Sequence, residues 1–234
     1  MAKKTSPLHT QVVQDIHDFL LRDVQPLTNG AKGWHRPFYS EAELQHGLAE
    51  YLKQQGRYSN IYLEYSVPEF TCKGVTIKKA KVDIVVEKDG EYVPIELKFK
   101  TKEPKPANGF KPHDYTFGEK SLPMIFKDEV AHTDSLRDFW RDVKRVMYMD
   151  LNYPNVKGAI VLMLTNAPYY WTNTNSLYNI VPGVNKQPPA GEVQVFSSMV
   201  NISLPKPVAI DWFDAGFLPL SLPQSQFRYC IVEV

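Results

Sequence analysis

The stretch Lys81-Val82-Asp83-Ile84-Val85-Val86-Glu87-Lys88-Asp89-Gly90-Glu91-Tyr92-Val93-Pro94-Ile95-Glu96-Leu97-Lys98-Phe99-Lys100 holds two β-rich runs on either side of a tight turn. Asp-Gly is the dipeptide that two-residue hairpin turns favour, because both of their central residues take positive φ. Each run carries charge where a buried strand would exclude it. Asp83 interrupts Val82 and Ile84-Val85-Val86, while Glu96 and Lys98 alternate with Ile95, Leu97 and Phe99. With a side-chain period of two, Glu96 and Lys98 share one face and the three apolar residues take the other. The hairpin then brings Asp83 close to Glu96 on the charged face. Two carboxylates so placed repel unless something positive sits between them, and on charge crowding alone Asp83→Ala should cost no stability. A hard divalent cation with oxygen ligands meets that need, Mg²⁺ being usual where phosphate is the substrate. Lys98 adds a mobile point charge suited to a phosphate oxygen or an attacking water. A structural ion-pair cluster at a sheet end is the other reading of these three residues.

Working outward, residues 8–24 have the spacing of an amphipathic helix, with Val12, Ile16, Phe19, Leu20 and Val24 on one side. A second helix starts at Ser40, where Glu43 completes a capping box. Its buried stripe is Leu44, Gly47, Leu48, Tyr51 and Leu52, and Gly56 stops it. A strand over Ile61–Val67 follows and ends before Pro68. Beyond the quoted stretch, Thr101 to His132 is a long proline-bearing loop, and residues 98–127 hold seven lysines against Glu103, Asp114 and Glu119. Thr133 or Asp134 caps a helix whose stripe is Leu136, Phe139, Trp140, Val143, Val146 and Met147. Its outer face pairs Asp134 with Arg137, Asp138 with Arg141 and Asp142 with Arg145. Gly158–Thr165 has the continuous apolar run of a strand buried on both faces. The remaining residues are proline-rich and close on the strand-like run Phe227–Val234.

At 234 residues, with 43% hydrophobic and 23% charged side chains, the composition is that of a soluble globular protein and excludes disorder as the main state. No apolar run approaches the ~20 residues of a membrane span, so no membrane partner is expected. A net charge of +1 is silent on nucleic acid, and any basic footprint must be local. Cys72 and Cys230 are too few for a disulfide framework; both read as buried free thiols, which suits a reducing, cytoplasmic location. The expected organisation is one domain over 1–234, with an N-terminal helical extension (1–39), a core (40–165) and a C-terminal extension packed on it (166–234).

An Asp in an apolar strand, a tight turn and then Glu-x-Lys in a second apolar strand, with a glutamate-bearing helix before and an amphipathic helix and buried strand after, resembles the PD-(D/E)XK nuclease superfamily. The spacing is most like that of the Holliday-junction resolvases. The likeness runs from Ser40 to about Thr165; Val82 stands where the motif's name puts proline, and Pro94 points to a strand start or bulge. The resemblance implies an α/β restriction-endonuclease-like fold. Its αβββαβ core has a mixed central sheet flanked by helices, here with the N-terminal helix and a Pro-rich C-terminal extension of short strands added. It implies that Asp83, Glu96 and the backbone carbonyl of Leu97 ligate Mg²⁺, with Mn²⁺ able to substitute, and that Lys98 positions or activates the water. A helix glutamate completes such sites as ligand and catalytic group. Glu41 is expected in that role, about 60° from Leu44 at the border of the stripe, whereas Glu43 has its capping task. The implied activity is endonucleolytic hydrolysis of DNA, duplex or branched, in a restriction or defence setting, by a homodimer that cuts two strands. Lys100, Lys102, Lys105 and Lys111 leave the strand that carries Lys98 and are expected to contact the nucleic-acid backbone. The alternatives are a catalytically inactive nucleic-acid-binding or assembly protein of the same fold, and the same chemistry on RNA.

Overall fold

A computed structural model describes residues 6–22, 24–26, 32–34, 38, 40–102, 116–117, 120–121, 132–174, 180, 192–193, 202–206, 208–217 and 226–234. In chain order the elements are α1 (Pro7–Arg22), β1 (Val24–Pro26), β2 (Lys32–Trp34), α2 (Glu41–Gln54), β3 (Asn60–Val67), β4 (Phe70–Cys72), β5 (Val75–Ile77), β6 (Ala80–Lys88) and β7 (Glu91–Lys100). There follow β8 (Thr116–Phe117), β9 (Lys120–Ser121), α3 (His132–Asn152), β10 (Ile160–Thr165), α4 (Tyr169–Thr172), β11 (Glu192–Val193), β12 (Ile202–Ser203), β13 (Asp211–Phe217) and β14 (Gln226–Glu233). The fold is mixed α/β. Eight strands form one sheet in the order β1-β2-β13-β14-β10-β7-β6-β3, mostly antiparallel, with β10 parallel to β7. The C-terminal β13 and β14 are members of this sheet, and β14 lies in its middle against β10. Among the described residues no helix is long and apolar enough to cross a membrane.

The sheet has two apolar faces. Ile84, Val86, Ile95, Leu97, Phe99, Leu162 and Tyr229 pack with the buried sides of α1 and α2. Val85, Val161, Met163, Cys230 and Val232 pack with α3, which crosses the other face. All six residues of β10 are buried, as a strand covered on both sides requires. Parallel β7 and β10 cannot be joined by a tight turn, and α3 is the crossover between them. Ser40 caps α2 by accepting from the Glu43 amide (3.1 Å), and Asp89 and Gly90 turn β6 into β7 with φ of 53° and 78°. Four details differ from the sequence expectation: the first helix, expected over 8–24, ends at Arg22, and Val24 begins β1. The helix expected to be capped by Thr133 or Asp134 already contains both and begins at His132; helix ends vary by one or two residues. Cys72 is only half-buried, because β4 and β5 form a hairpin outside the main sheet, while Cys230 is fully buried. Phe213 and its neighbours form a sheet strand, β13, that the proline-rich composition of the segment conceals.

Gly158, in the turn from α3 to β10, has φ +105° and donates its N–H to the buried Asp150 carboxylate (2.9 Å). A Cβ built there would stand 2.6 Å from Cδ2 of His9, a buried residue in the first turn of α1. Gly158→Ala therefore combines backbone strain of about 1–3 kcal/mol with a steric overlap. Its urea midpoint should fall clearly below that of the parent, whereas Gly56→Ala (φ +65°, nothing within 4 Å of the added Cβ) should lose only the strain.

Candidate active site

Strands β6 and β7 pair from the turn as far as Ile84 and Ile95, and there the ladder ends. In a two-residue hairpin the hydrogen-bonded positions alternate, so the amides of Leu97 and Phe99 point past Ile95 toward the side that β6 has left. Two carboxylates receive them. Asp83 Oδ2 accepts from the Leu97 amide at 2.6 Å, and Glu41 Oε2 accepts from the Phe99 amide at 2.8 Å. The fork between the strands is thus bridged by acidic side chains in place of the ladder. The N–H and C=O of one strand residue point the same way, so the Leu97 carbonyl also faces the fork.

The divergence has a local cause. The ladder between β3 and β6 omits the pair Glu64–Asp83, and Glu64 takes φ 51°, unusual for a residue with a side chain. Val82 and Ile84, two apart, consequently belong to different cores. Gln45 of α2 spans the irregularity, donating to the Asp83 backbone carbonyl (2.7 Å) and to Glu64 Oε1 (3.1 Å). Pro94 has no amide to offer, and falls in the gap between the Tyr92–Val156 bridge and the β7–β10 ladder starting at Ile95.

On the face toward α3, Glu96 and Lys98 meet charges from the helix. Arg145 directs Nη2 (2.6 Å) and Nε (3.0 Å) at Glu96 Oε1. Asp142 joins Arg145 Nη2 through Oδ1 (2.8 Å) and Lys98 Nζ through Oδ2 (2.6 Å). The expectation that Asp142 and Arg145 form a pair on the outer face of the helix is therefore corrected: Asp142 is buried and faces the sheet. Its phase explains this, since it lies three residues after Phe139 and four before Val146, inside the apolar stripe. The pairs Asp134–Arg137 (2.8 Å) and Asp138–Arg141 (3.1 Å) do lie outside.

Burial dominates the titration of the acids. It pushes the carboxyls of Asp83 and Glu41 above their usual range, although the Leu97 and Phe99 amides and Lys98 pull the other way. Burial likewise pushes Glu96 up, against the pull of Arg145 and with added repulsion from Asp142 and Asp83. For Lys98, burial works to lower the value, but Asp142, Glu41 and Glu96 together outweigh it and keep the ammonium charged.

The donors are those a hard cation takes: the carboxylates of Glu41, Asp83 and Glu96 and the Leu97 carbonyl. Burial makes the charged form of each of these three carboxylates costly, and a nearby cation would relieve that cost. In this arrangement, however, no three His, Cys, Asp or Glu side chains among the described residues converge as a metal cage, and Glu96 is turned to Arg145. Lys100 and Lys102 follow on the same strand end; Lys102 donates its amide to Asn166 (2.7 Å). Lys105 and Lys111 lie outside the described residues. Glu43 is at the cap and Glu64 is ion-paired with Lys81 (3.4 Å) at the surface. Sequence reasoning missed Gln45, Asp142 and Arg145. The signal for Gln45 and Asp142 was a polar residue at the buried side of an amphipathic helix, and Arg145 was marked only by its i, i+3 spacing from Asp142. No family model, curated protein or solved structure matches the chain.

Because Asp83 caps a strand amide, its removal should not be free, contrary to the charge-crowding argument. Asp83→Ala leaves the Leu97 N–H without its acceptor and should lower unfolding free energy by about 1–3 kcal/mol. Asp83→Asn keeps an oxygen there and should remain close to the parent in metal-free chemical denaturation; equal stability of the Ala variant and the parent would show that the bond contributes nothing.

Proposed function

We propose that the fork is the active site of a Mg²⁺-dependent endonuclease of the PD-(D/E)XK, restriction-endonuclease-like kind, hydrolysing DNA phosphodiester bonds. One observation carries this reading: Asp83, Glu96, Lys98 and Glu41 come from three separate elements and gather where β6 and β7 part. The element order α2, β3, β6, β7, α3, β10 supports it, with α2 and α3 on opposite faces of the sheet. When bound, a divalent cation would neutralise charge on the phosphate and acidify the attacking water. The protein's own part is positional and electrostatic. Asp83 and Glu41 are each fixed through one oxygen by a β7 amide, so their orientation is set before any ligand arrives. Lys98, kept charged by Asp142, presents an ammonium that can orient a water and stabilise charge developing on a phosphoryl oxygen. Lys100 and Lys102 extend positive charge from the site edge along a bound backbone.

The second reading, a nucleic-acid-binding or assembly protein without catalysis, draws on the Arg145–Glu96 pair (2.6 Å), which gives Glu96 a structural partner. Incubation with supercoiled plasmid, single-stranded DNA and RNA in Mg²⁺, Mn²⁺ or EDTA separates the two. The parent should nick DNA only with metal, and Asp83→Asn and Lys98→Met should lose at least about a hundredfold, the scale of a lost acid–base or electrostatic group. Glu41→Gln should lose at least about tenfold and Glu43→Gln almost nothing, because only Glu41 reaches the fork. A parent that cuts none of these substrates while binding them would establish the non-catalytic reading; cleavage of RNA alone would reassign the substrate.

Binding offers a separate check. Replacing Lys100 and Lys102 by Ala should reduce the slope of log affinity against log salt by about 0.9 per lost phosphate contact on duplex DNA. An unchanged slope in fluorescence anisotropy would take these two lysines out of the interface.

A further inference from the structure

The charges on the α3 side form a closed circuit. Glu96 is bound by Arg145, Arg145 by Asp142, Asp142 by Lys98, and Lys98 lies two residues from Glu96 on β7. The four charges cancel, so the circuit is neutral by itself, while Asp83 and Glu41 at the fork are not balanced by it. Arg145 directs both of its contacts at one Glu96 oxygen and stands with its guanidinium between two carboxylates. Asp142 is the more versatile partner, since its two oxygens serve different cations. If Arg145 let go of Glu96, it would keep Asp142 and would not be left as an unpaired buried charge, the outcome that makes breaking most buried pairs costly. The Arg145 side chain is one quarter exposed and Glu96 only 2%, so the arginine is the member with room to move.

Resting on the nuclease reading, we propose that Arg145 is an exchangeable counter-ion: it neutralises Glu96 when no metal is bound and yields that carboxylate to a divalent cation, retreating onto Asp142. The arrangement accounts for two observations at once. Glu96 sits deeply buried with a full counter-charge, and the acids at the fork have a cation's donor set without converging as a cage. It also makes a signed prediction. A residue that merely positions a metal-ligating carboxylate weakens metal binding when it is removed, typically 10–100-fold. A competing counter-ion does the opposite.

The test is Mn²⁺ affinity, followed by the electron paramagnetic resonance of free Mn²⁺, with thermal melts with and without Mn²⁺ as a second readout. Arg145→Met has similar length and no charge. It should melt below the parent without metal, bind Mn²⁺ about tenfold more tightly, and gain more in melting temperature on adding Mn²⁺. Glu96→Gln placed on Arg145→Met should abolish the gain, because the competition is for that carboxylate; a gain that persists would trace the effect to general electrostatics and overturn the proposal. Should Arg145→Met fail to fold without metal, Arg145→Lys keeps the charge but not the two-pronged contact, and should bind Mn²⁺ severalfold more tightly than the parent. Unchanged or weaker affinity in the variant that folds overturns the exchange and leaves the nuclease reading standing if the parent itself binds. Absence of Mn²⁺ binding in parent and variants alike overturns both.

Discussion

The hydrogen bond from the Leu97 amide to the Asp83 carboxylate is the contact on which the candidate site depends. A hairpin left to itself would continue its ladder to the ends of both strands. Here β6 turns away after Ile84, and the amides of β7 beyond Ile95 would be orphaned inside the protein. Buried amides without acceptors are rare because each costs the full desolvation of the group. Asp83 at the Leu97 amide and, two residues on, Glu41 at the Phe99 amide remove that cost. In doing so they hold two carboxylates and a backbone carbonyl in the gap between strands. The same geometry therefore satisfies the backbone and concentrates negative charge.

That concentration has to be balanced from outside the hairpin, and α3 does so. The helix lies on the face that carries Glu96 and Lys98, and it directs one acid and one base inward at the level of those residues. The result is an alternation of charge, Glu96–Arg145–Asp142–Lys98, with contacts of 2.6–2.8 Å. Opposite charges this close and shielded from water attract more strongly than surface pairs, which are worth at most about 1 kcal/mol, but the cost of desolvating them offsets much of that attraction. The surface pairs Asp138–Arg141 and Arg228–Asp214 are chemically alike but do not bear on the site. Burial against the sheet, and not the identity of the pair, decides which role it has.

Much of the core was legible because it follows from periodicity. Alternation over Ile95, Leu97 and Phe99, the Asp-Gly turn and the unbroken apolar run of β10 each have one structural solution, and those elements appear where the pattern puts them. Glu41 was separable from Glu43 because a helix of known phase leaves only one of them facing the sheet. What the sequence concealed was where regularity fails. Nothing local announces that Glu64 takes a positive φ or that β6 leaves β7 at Asp83, and Gln45, which bonds to both residues there, is distant in sequence. Asp142 and Arg145 were hidden differently. Their i, i+3 spacing matches two genuine surface pairs on the same helix, and only their phase against Phe139, Val146 and Met149 distinguishes them. The strand β13 was masked by the prolines around it, since composition is averaged over a segment while pairing is decided residue by residue.

The fork between β6 and β7 is proposed as a divalent-metal site serving phosphodiester hydrolysis. Anomalous scattering from crystals of the protein soaked in Mn²⁺ tests it most directly, because it reports position without reference to any substrate. The expected result is a peak bounded by the carboxylates of Asp83 and Glu96 and the carbonyl of Leu97, with Arg145 withdrawn toward Asp142. A peak only at other carboxylates, or none at millimolar Mn²⁺ with the Arg145–Glu96 pair intact, would contradict it.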